Sequence, residues 1–368
     1  MSVSHQGSRE ASGEPEASTE DVASAAPPGS THSDAQLTGR SVGPGPSRQT
    51  IFLRRLGALV GRNALIVVWA MMCVVYAVLM PGRFFEVSTL QAILGSQAPL
   101  VFISVSALCT FVVDEFDLSF ASVMGLAATI LPVLAGLHHV NILLACVIAV
   151  AASVGAGIVN AFFIVKLNVS SLIVTLGSAS LYLGIAELIS SSNTVSVTNQ
   201  ALSDFALHNV YGLPLAFYYG VALCAVLGYV LAWTPLGRHI VFVGSNREVA
   251  RLAGINVQRI RAMSYITASF VAGLAGVLLV ATVGGFDSTA SQSYLLPALA
   301  GVFLGTTLVV PGHFNPLGTL LGLYFLETGV IGLQLLGYTG WAQDAFYGAG
   351  LVLAVTIVTL VRQRSVKT

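Results

Sequence analysis

TPLGRHIVFVGSNREVARLAGINVQRIRAM, residues 234–263, lies between two long apolar runs and is the most charge-dense segment past residue 64. It sets Arg238, Arg247, Arg251, Arg259 and Arg261 against a single acid, Glu248. Ser245 stands three residues before Glu248, the spacing at which a capping hydroxyl and a returning carboxylate satisfy each other's backbone N–H groups, so a helix is expected to start there. Gly254 tolerates the positive φ found just past a helix end. The spacing therefore predicts a short helix over about Asn246–Ala253, with Val249, Leu252 and Ala253 on its apolar side and Arg247 and Arg251, four apart, on another. Such a helix between two membrane-length runs reads as a docking surface. On pattern alone, a polar connector whose arginines fix topology fits equally well.

The rest of the chain is apolar: 55% of its residues are hydrophobic and 9% charged, with a mean hydropathy of +0.84. A soluble core has no use for that much apolar surface, so the fold class is an all-α polytopic membrane helix bundle. Residues 1–50 differ, being rich in Ser, Gly, Pro, Ala and Glu with no apolar run. They cannot bury enough surface to offset their ordering entropy, and a disordered cytosolic tail with no signal peptide is expected there. Cys73, Cys109, Cys146 and Cys224 fall in apolar runs without paired spacing and read as small buried hydrophobes.

From Arg54 onward, apolar runs able to cross about 30 Å of hydrocarbon alternate with short polar breaks. Spans are expected near 64–80, 90–113, 116–137, 140–165, 170–190, 214–233, 263–283, 294–310, 314–336 and 343–361, ten in all. Arg54, Arg55 and Arg62 precede the first span, Lys166 follows the fourth, the five central arginines follow the sixth, and Arg362, Arg364 and Lys367 follow the tenth. The intervals are even, so these basic residues share one side, with Arg83 alone opposite, and both termini are expected to be cytosolic. A transmembrane domain over 51–362, containing a cytosolic loop at 234–262 and followed by a short basic tail at 363–368, is the resulting organisation. Ser190–Pro214 becomes the largest extracytosolic loop, with 81–88 and 284–293 facing the same way. Spaced glycines, Gly155 and Gly157, Gly177 and Gly184, Gly273 and Gly276, Gly301 and Gly305, Gly318 and Gly322, are expected to let helix backbones approach.

The densest polar cluster within the apolar region is Asp114-Glu115-Phe116-Asp117-Leu118-Ser119. Three carboxylates in six residues are expensive beside a bilayer, so they are expected to face water, a cavity or a partner, and they are the first candidates for a translocation path; the competing reading is a tight cytosolic turn. Glu187 and Glu327 lie inside spans and leave an ion-coupled secondary transporter as the alternative. There is no Gly-x-x-x-x-Gly-Lys-[Ser/Thr] loop, and Lys166 and Lys367 are not placed to reach a nucleotide phosphate. No His-Glu-x-x-His or Cys-x-x-Cys pair is present, and His138 and His139 at a span end read as interfacial, so no metal site and no enzymatic activity are expected in this chain.

Glu248-Val249-Ala250-Arg251-Leu252-Ala253-Gly254 resembles the Glu-Ala-Ala-x-x-x-Gly loop of ABC importer permeases, with Val249 departing at the second position. The wider run from Gly237-Arg238-His239-Ile240 through Gly244-Ser245-Asn246 to Gly254-Ile255-Asn256-Val257 is similar to the permease subunits of bacterial importers for ribose and related sugars. Asp117, Leu118, Ser119 and Ser122 match that family's Gly-Gly-Ile-Asp-Leu-Ser-x-Gly-Ser motif. Asp114 and Glu115 stand in the neighbourhood of its glycines, and Ala121 replaces a later one. Asn160, Lys166, Leu172-Ile173-Val174-Thr175-Leu176-Gly177, Leu304-Gly305-Thr306-Thr307 and Gly318-Thr319-Leu320-Leu321-Gly322 extend the match over roughly 64–361.

The resemblance implies a sugar-type importer permease in the bacterial plasma membrane. A cytosolic ABC ATPase would dock on Ser245, Arg247, Glu248, Arg251 and Gly254, and would bind the ATP and Mg that this chain does not. A solute-binding protein would deliver outside, and a second permease copy or a similar chain would complete the pathway. Asp114, Glu115, Asp117, Ser119, Asn160 and Thr175 are the residues expected along the substrate path. No nucleic-acid partner is implied.

Overall fold

Hydrocarbon offers no partner for backbone polar groups, so an apolar run that enters it must satisfy its own N–H and C=O groups as a helix. The computed structural model describes residues 64–366 apart from 96 and 311. The expected tail at 1–50, the basic residues Arg54, Arg55 and Arg62, and Lys367 lie outside the described residues.

The helices follow in order as α1 (Ala64–Leu79), α2 (Val87–Leu94), α3 (Ala98–Phe111), α4 (Phe120–Pro132), α5 (Ile142–Ala161), α6 (Ser171–Ser190) and α7 (Gln200–Leu207). After them come α8 (Leu215–Trp233), α9 (Pro235–Ser245), α10 (Arg247–Leu252), α11 (Val257–Val283), α12 (Leu295–Gly305), α13 (Pro316–Leu335) and α14 (Gly340–Val366). Single π turns, Val133–Leu137 and Phe162–Lys166, extend α4 and α5. Among the described residues, seven segments are long and apolar enough to cross a membrane: 87–111, 120–137, 142–166, 171–190, 215–233, 257–283 and 316–335.

Three expected spans take a different form. The run 90–113 is broken between α2 and α3, where Gly95 lies so close to the Pro214 ring that a Cβ would sit 2.3 Å from its Cγ. Pro99 then opens α3 in its first turn, where its missing N–H costs nothing. The run 294–310 yields only the 11 residues of α12, about 16 Å of helix, roughly half the hydrocarbon thickness. Thr306 and Thr307 end it by turning their hydroxyls onto the carbonyls of Phe303 and Leu304 (2.6 and 2.7 Å). The stretch 116–137 becomes helical only at Phe120, because Asp117 bonds the Ser119 backbone instead.

The centre of the bundle is α11, which packs along α3, α4 and α5. Its small residues make this possible: a Cβ at Gly276 would lie 2.5 Å from the Met124 carbonyl, so α11 and α4 meet backbone to backbone. Between α12 and α13 the same device recurs at Gly305 and Gly318. Gly155, Gly177 and Gly184 correct the packing expectation, since a Cβ on any of them would meet nothing within 4 Å. On the outer side of α13, α1 is latched by Trp69 Nε1 donating to Thr328 Oγ1 (3.1 Å) and Tyr76 OH donating to the Gly329 carbonyl (2.9 Å).

Two short ribbons tie the loops at one end together. Val195–Ser196 (β1) pairs antiparallel with Gly285–Phe286 (β4), so the 190–214 and 284–293 segments share an end. Asn209–Val210 (β2) pairs with Leu213–Pro214 (β3) across Tyr211-Gly212, both at positive φ as a tight two-residue hairpin turn requires. Gln91 donates to the Gly212 carbonyl (2.7 Å), bringing the start of α2 to the same end.

Candidate functional site

The opposite end gathers the charged residues. After Phe111 the chain leaves the helix, Asp114 takes the left-handed conformation (φ +59), and Glu115 N–H returns to the Thr110 carbonyl (3.1 Å). That reversal points the Glu115 side chain inward, where it is 2% exposed. Its Oε1 accepts from Arg261 Nε and pairs with Arg247 Nη2 (3.0 Å). Its Oε2 accepts from Tyr265 OH (3.0 Å). Arg247 also donates to the carbonyls of Asp114 (2.6 Å) and Val113 (3.3 Å). A buried carboxylate is tolerated only when paired and hydrogen-bonded, and Glu115 is both. Of the expected surroundings, water, a cavity or a partner, Glu115 has charged partners within the chain and lies at the edge of a cavity.

Two residues on, a second polar network begins. Asp117 Oδ1 accepts from the N–H and the hydroxyl of Ser119 (2.8 and 2.6 Å). Ser119 Oγ in turn accepts from Asn160 Nδ2 (2.9 Å), and Asn160 Oδ1 accepts from Tyr182 OH (3.1 Å). Thr175 donates to the Phe116 carbonyl (3.4 Å). Asp117, Ser119, Asn160 and Thr175 are all buried, and they join α4, α5 and α6 at one level. The structure thus brings five of the six expected path residues together, while Asp114 stays exposed at the rim. Beside them lies a cavity of about 160 Å3 walled by Phe111, Phe116, Phe303 and Phe314, with Asp114 and Glu115 at its edge.

The central loop forms two helices, α9 and α10, instead of one. Asn246 caps α10: its Oδ1 accepts from Val249 N–H (3.0 Å) at extended backbone angles. Ser245, expected in that role, is the last residue of α9, and its hydroxyl turns back to the Val241 carbonyl (2.9 Å). An asparagine one position later competes successfully because both residue types cap well and only Asn246 lies outside a helix. Gly254 follows at φ +80, as expected.

The expected apolar side of α10 is the exposed one. Ala250 is the buried residue, packed with Val113, Val243 and Ile260, while Val249, Leu252 and Ala253 face out and Leu252 is 87% exposed. Glu248 and Arg251 are exposed beside them, but Arg247 is folded onto Glu115. Gly244 lets this layer approach the end of α3, since a Cβ there would lie 2.0 Å from the Val112 carbonyl.

Arg261, Tyr265 and Tyr182 are the residues that sequence reasoning left out. Arg261 and Tyr265 are four apart on α11 and so share a helix face, a signal present in the sequence. Tyr182 carries no comparable signal. Of the two intramembrane acids, Glu327 is buried on α13 and accepts from Tyr347 OH of α14 (2.6 Å).

Comparison with known proteins gives one matching family model, described as branched-chain amino acid transport system / permease component, over residues 89–355. Among similar proteins, the ribose import permease protein RbsC of Escherichia coli (strain K12) is 29% identical over 279 residues, covering 75% of this chain and 87% of that one. The autoinducer 2 import system permease protein LsrD of Photorhabdus luminescens is 30% identical over 247 residues, covering 65% and 73%. The corresponding LsrC of Salmonella typhimurium is 25% identical over 293 residues, covering 78% and 84%. No solved structure matches.

Proposed function

This chain belongs to the branched-chain amino acid transport system / permease component family, and from that premise we propose that it is the membrane-spanning subunit of an ATP-driven importer for a sugar or sugar-like solute. The solute class rests on the relatives, which are permeases of ribose and autoinducer 2 import. Hydrolysis belongs to a separate ATPase chain, which binds ATP and its metal. A solute-binding protein delivers at the end formed by 190–214 and 284–293, and a second permease, identical or similar, completes the pathway.

The observation that carries the docking assignment is the outward face of α10. Leu252 and Val249 are apolar and exposed, with Glu248 and Arg251 beside them, on a capped helix outside the apolar spans. An exposed apolar patch rimmed by charge fits a protein partner. The docking set is therefore Glu248, Val249, Arg251, Leu252 and the Gly254 turn. For the solute, Ser119, Asn160 and Thr175 offer hydroxyl and amide groups to a polyol, with Asp117 orienting Ser119. The bundle exposes them in one of two states that nucleotide favours differently.

The test is purification of the chain from its own membrane, unmodified and as Leu252→Asp, followed by identification of bound chains and an ATPase assay. A Walker-motif ATPase is expected with the unmodified protein and not with the variant. Its absence from both preparations overturns the importer reading.

A further inference from the structure

Resting on the importer reading, we propose that Glu115 is the positioning residue that fastens α10 to the buried Asp117–Ser119–Asn160–Tyr182 network, so that displacement of α10 reaches the inner ends of α4, α5 and α6. Three contacts hold α10 and the end of α9 against the membrane domain. Two of them, the apolar cluster around Ala250 and the close approach of Gly244 to Val112, are non-directional and permit sliding. The third is Arg247, whose Nη2 pairs with the Glu115 carboxylate and donates to the Asp114 and Val113 carbonyls. Hydrogen bonds and an ion pair converging on one guanidinium nitrogen are directional, which the other two contacts are not.

From Glu115 the connection inward is two residues long. Phe116 offers its carbonyl to Thr175 of α6, and Asp117 organises Ser119, which holds Asn160 of α5 and through it Tyr182 of α6. Arg261 and Tyr265 fix Glu115 to α11, so its carboxylate joins the docking helix to the central post while its backbone leads into the network two residues on. The two arms differ. Arg261 is largely buried, whereas the Arg247 side chain is 36% exposed, and its buried Nε is without an acceptor. An unsatisfied buried donor makes the α10 arm the weaker of the two. Glu115 is thus the residue that touches the docking helix and the central post at once, the contiguity that coupling between distant sites uses.

The experiment uses the full chain with its co-purified ATPase in lipid nanodiscs, carrying genetically encoded spin labels at Ile173 on α6 and Leu317 on α13, both exposed. The Ile173–Leu317 distance is measured with and without ATP plus vanadate. In the unmodified protein, trapped nucleotide is expected to shift the distance distribution. In Glu115→Gln and in Arg247→Gln the ATPase stays bound and hydrolyses ATP, but the shift is lost, and Arg247→Lys restores part of it.

Arg247→Gln is the safeguard against misfolding, because it leaves the Arg261–Glu115 pair intact. An undiminished shift in Arg247→Gln overturns the proposal, as does a shift absent from the unmodified protein. Loss of the ATPase from Arg247→Gln also overturns it, since Arg247 would then belong to the docking face. Failure of any ATPase to accompany the unmodified chain is a failure of the importer reading itself.

Discussion

Asp114 holds a backbone conformation that suits glycine better than any other residue, at φ +59, and its carbonyl is what Arg247 grips. The left-handed region costs an ordinary L-residue about 1–2 kcal/mol, and aspartate is among the few that tolerate it. Because Arg247 uses the carbonyl, Asp114→Gly keeps the contact and relieves strain. That variant is expected to match or exceed the parent in thermal stability, by up to about 1 kcal/mol. Asp114→Val, branched at Cβ, is expected to lose about 1–2 kcal/mol. Thermal unfolding of the purified protein in detergent decides it, and a stable valine variant beside a destabilised glycine variant would refute the backbone argument. At this scale the sequence was half legible. Three acids in a short polar break announced a functional cluster, and the similarity of Asp117-Leu118-Ser119 to a family motif placed it. Adjacency could not reveal that Glu115 turns toward arginines 132 and 146 positions later while Asp117 turns toward its own backbone.

Elements were legible wherever one force decided them. Apolar runs had to be helices, and a short helix in 234–263 was announced by capping spacing and the Gly254 stop. What the sequence left undecided was competition between near-equal caps. Ser245 and Asn246 are both good N-caps, and the outcome depended on α9 continuing through Ser245, which rests on tertiary contact at Gly244. In the resulting helix Ala250 is buried and Leu252 exposed. The assignment is testable by amide hydrogen exchange across 247–253. Asn246→Ala removes the bond to Val249 N–H, worth about 1 kcal/mol, and is expected to speed exchange there about fivefold. Ser245→Ala is expected to leave it unchanged; the reverse pattern would restore the serine cap. Glycines show the same limit. Gly276 and Gly305 sit at backbone crossings and Gly177 and Gly184 face outward, yet nothing in their spacing separates the two groups.

For the whole molecule, charge bias sets an expectation of sidedness and the contacts show which loops share an end. Basic residues placed Lys166 and the arginines of 234–263 on one side and Arg83 on the other. The contacts place Arg247 against Asp114, and Phe314 beside Phe111 at 5.6 Å, which gathers the ends of α3, α9, α10 and α12. They also place β1 against β4 and Gln91 against Gly212 at the far end. Charge bias reads sidedness and side-chain contacts read proximity, so each supplies what the other lacks. Together they predict that Tyr211, 97% exposed in the β2–β3 turn, faces outward from the cell and that Leu252 faces the cytosol. In intact cells a membrane-impermeant maleimide should label Tyr211→Cys and not Leu252→Cys, and permeabilisation should open the second site, with the parent chain and its native cysteines as control. Labelling of Leu252→Cys alone in intact cells would invert the bundle. The positively charged helix would then lie outside, the hairpin end would face the ATPase, and both the docking assignment of α10 and the role of Glu115 would fall with it.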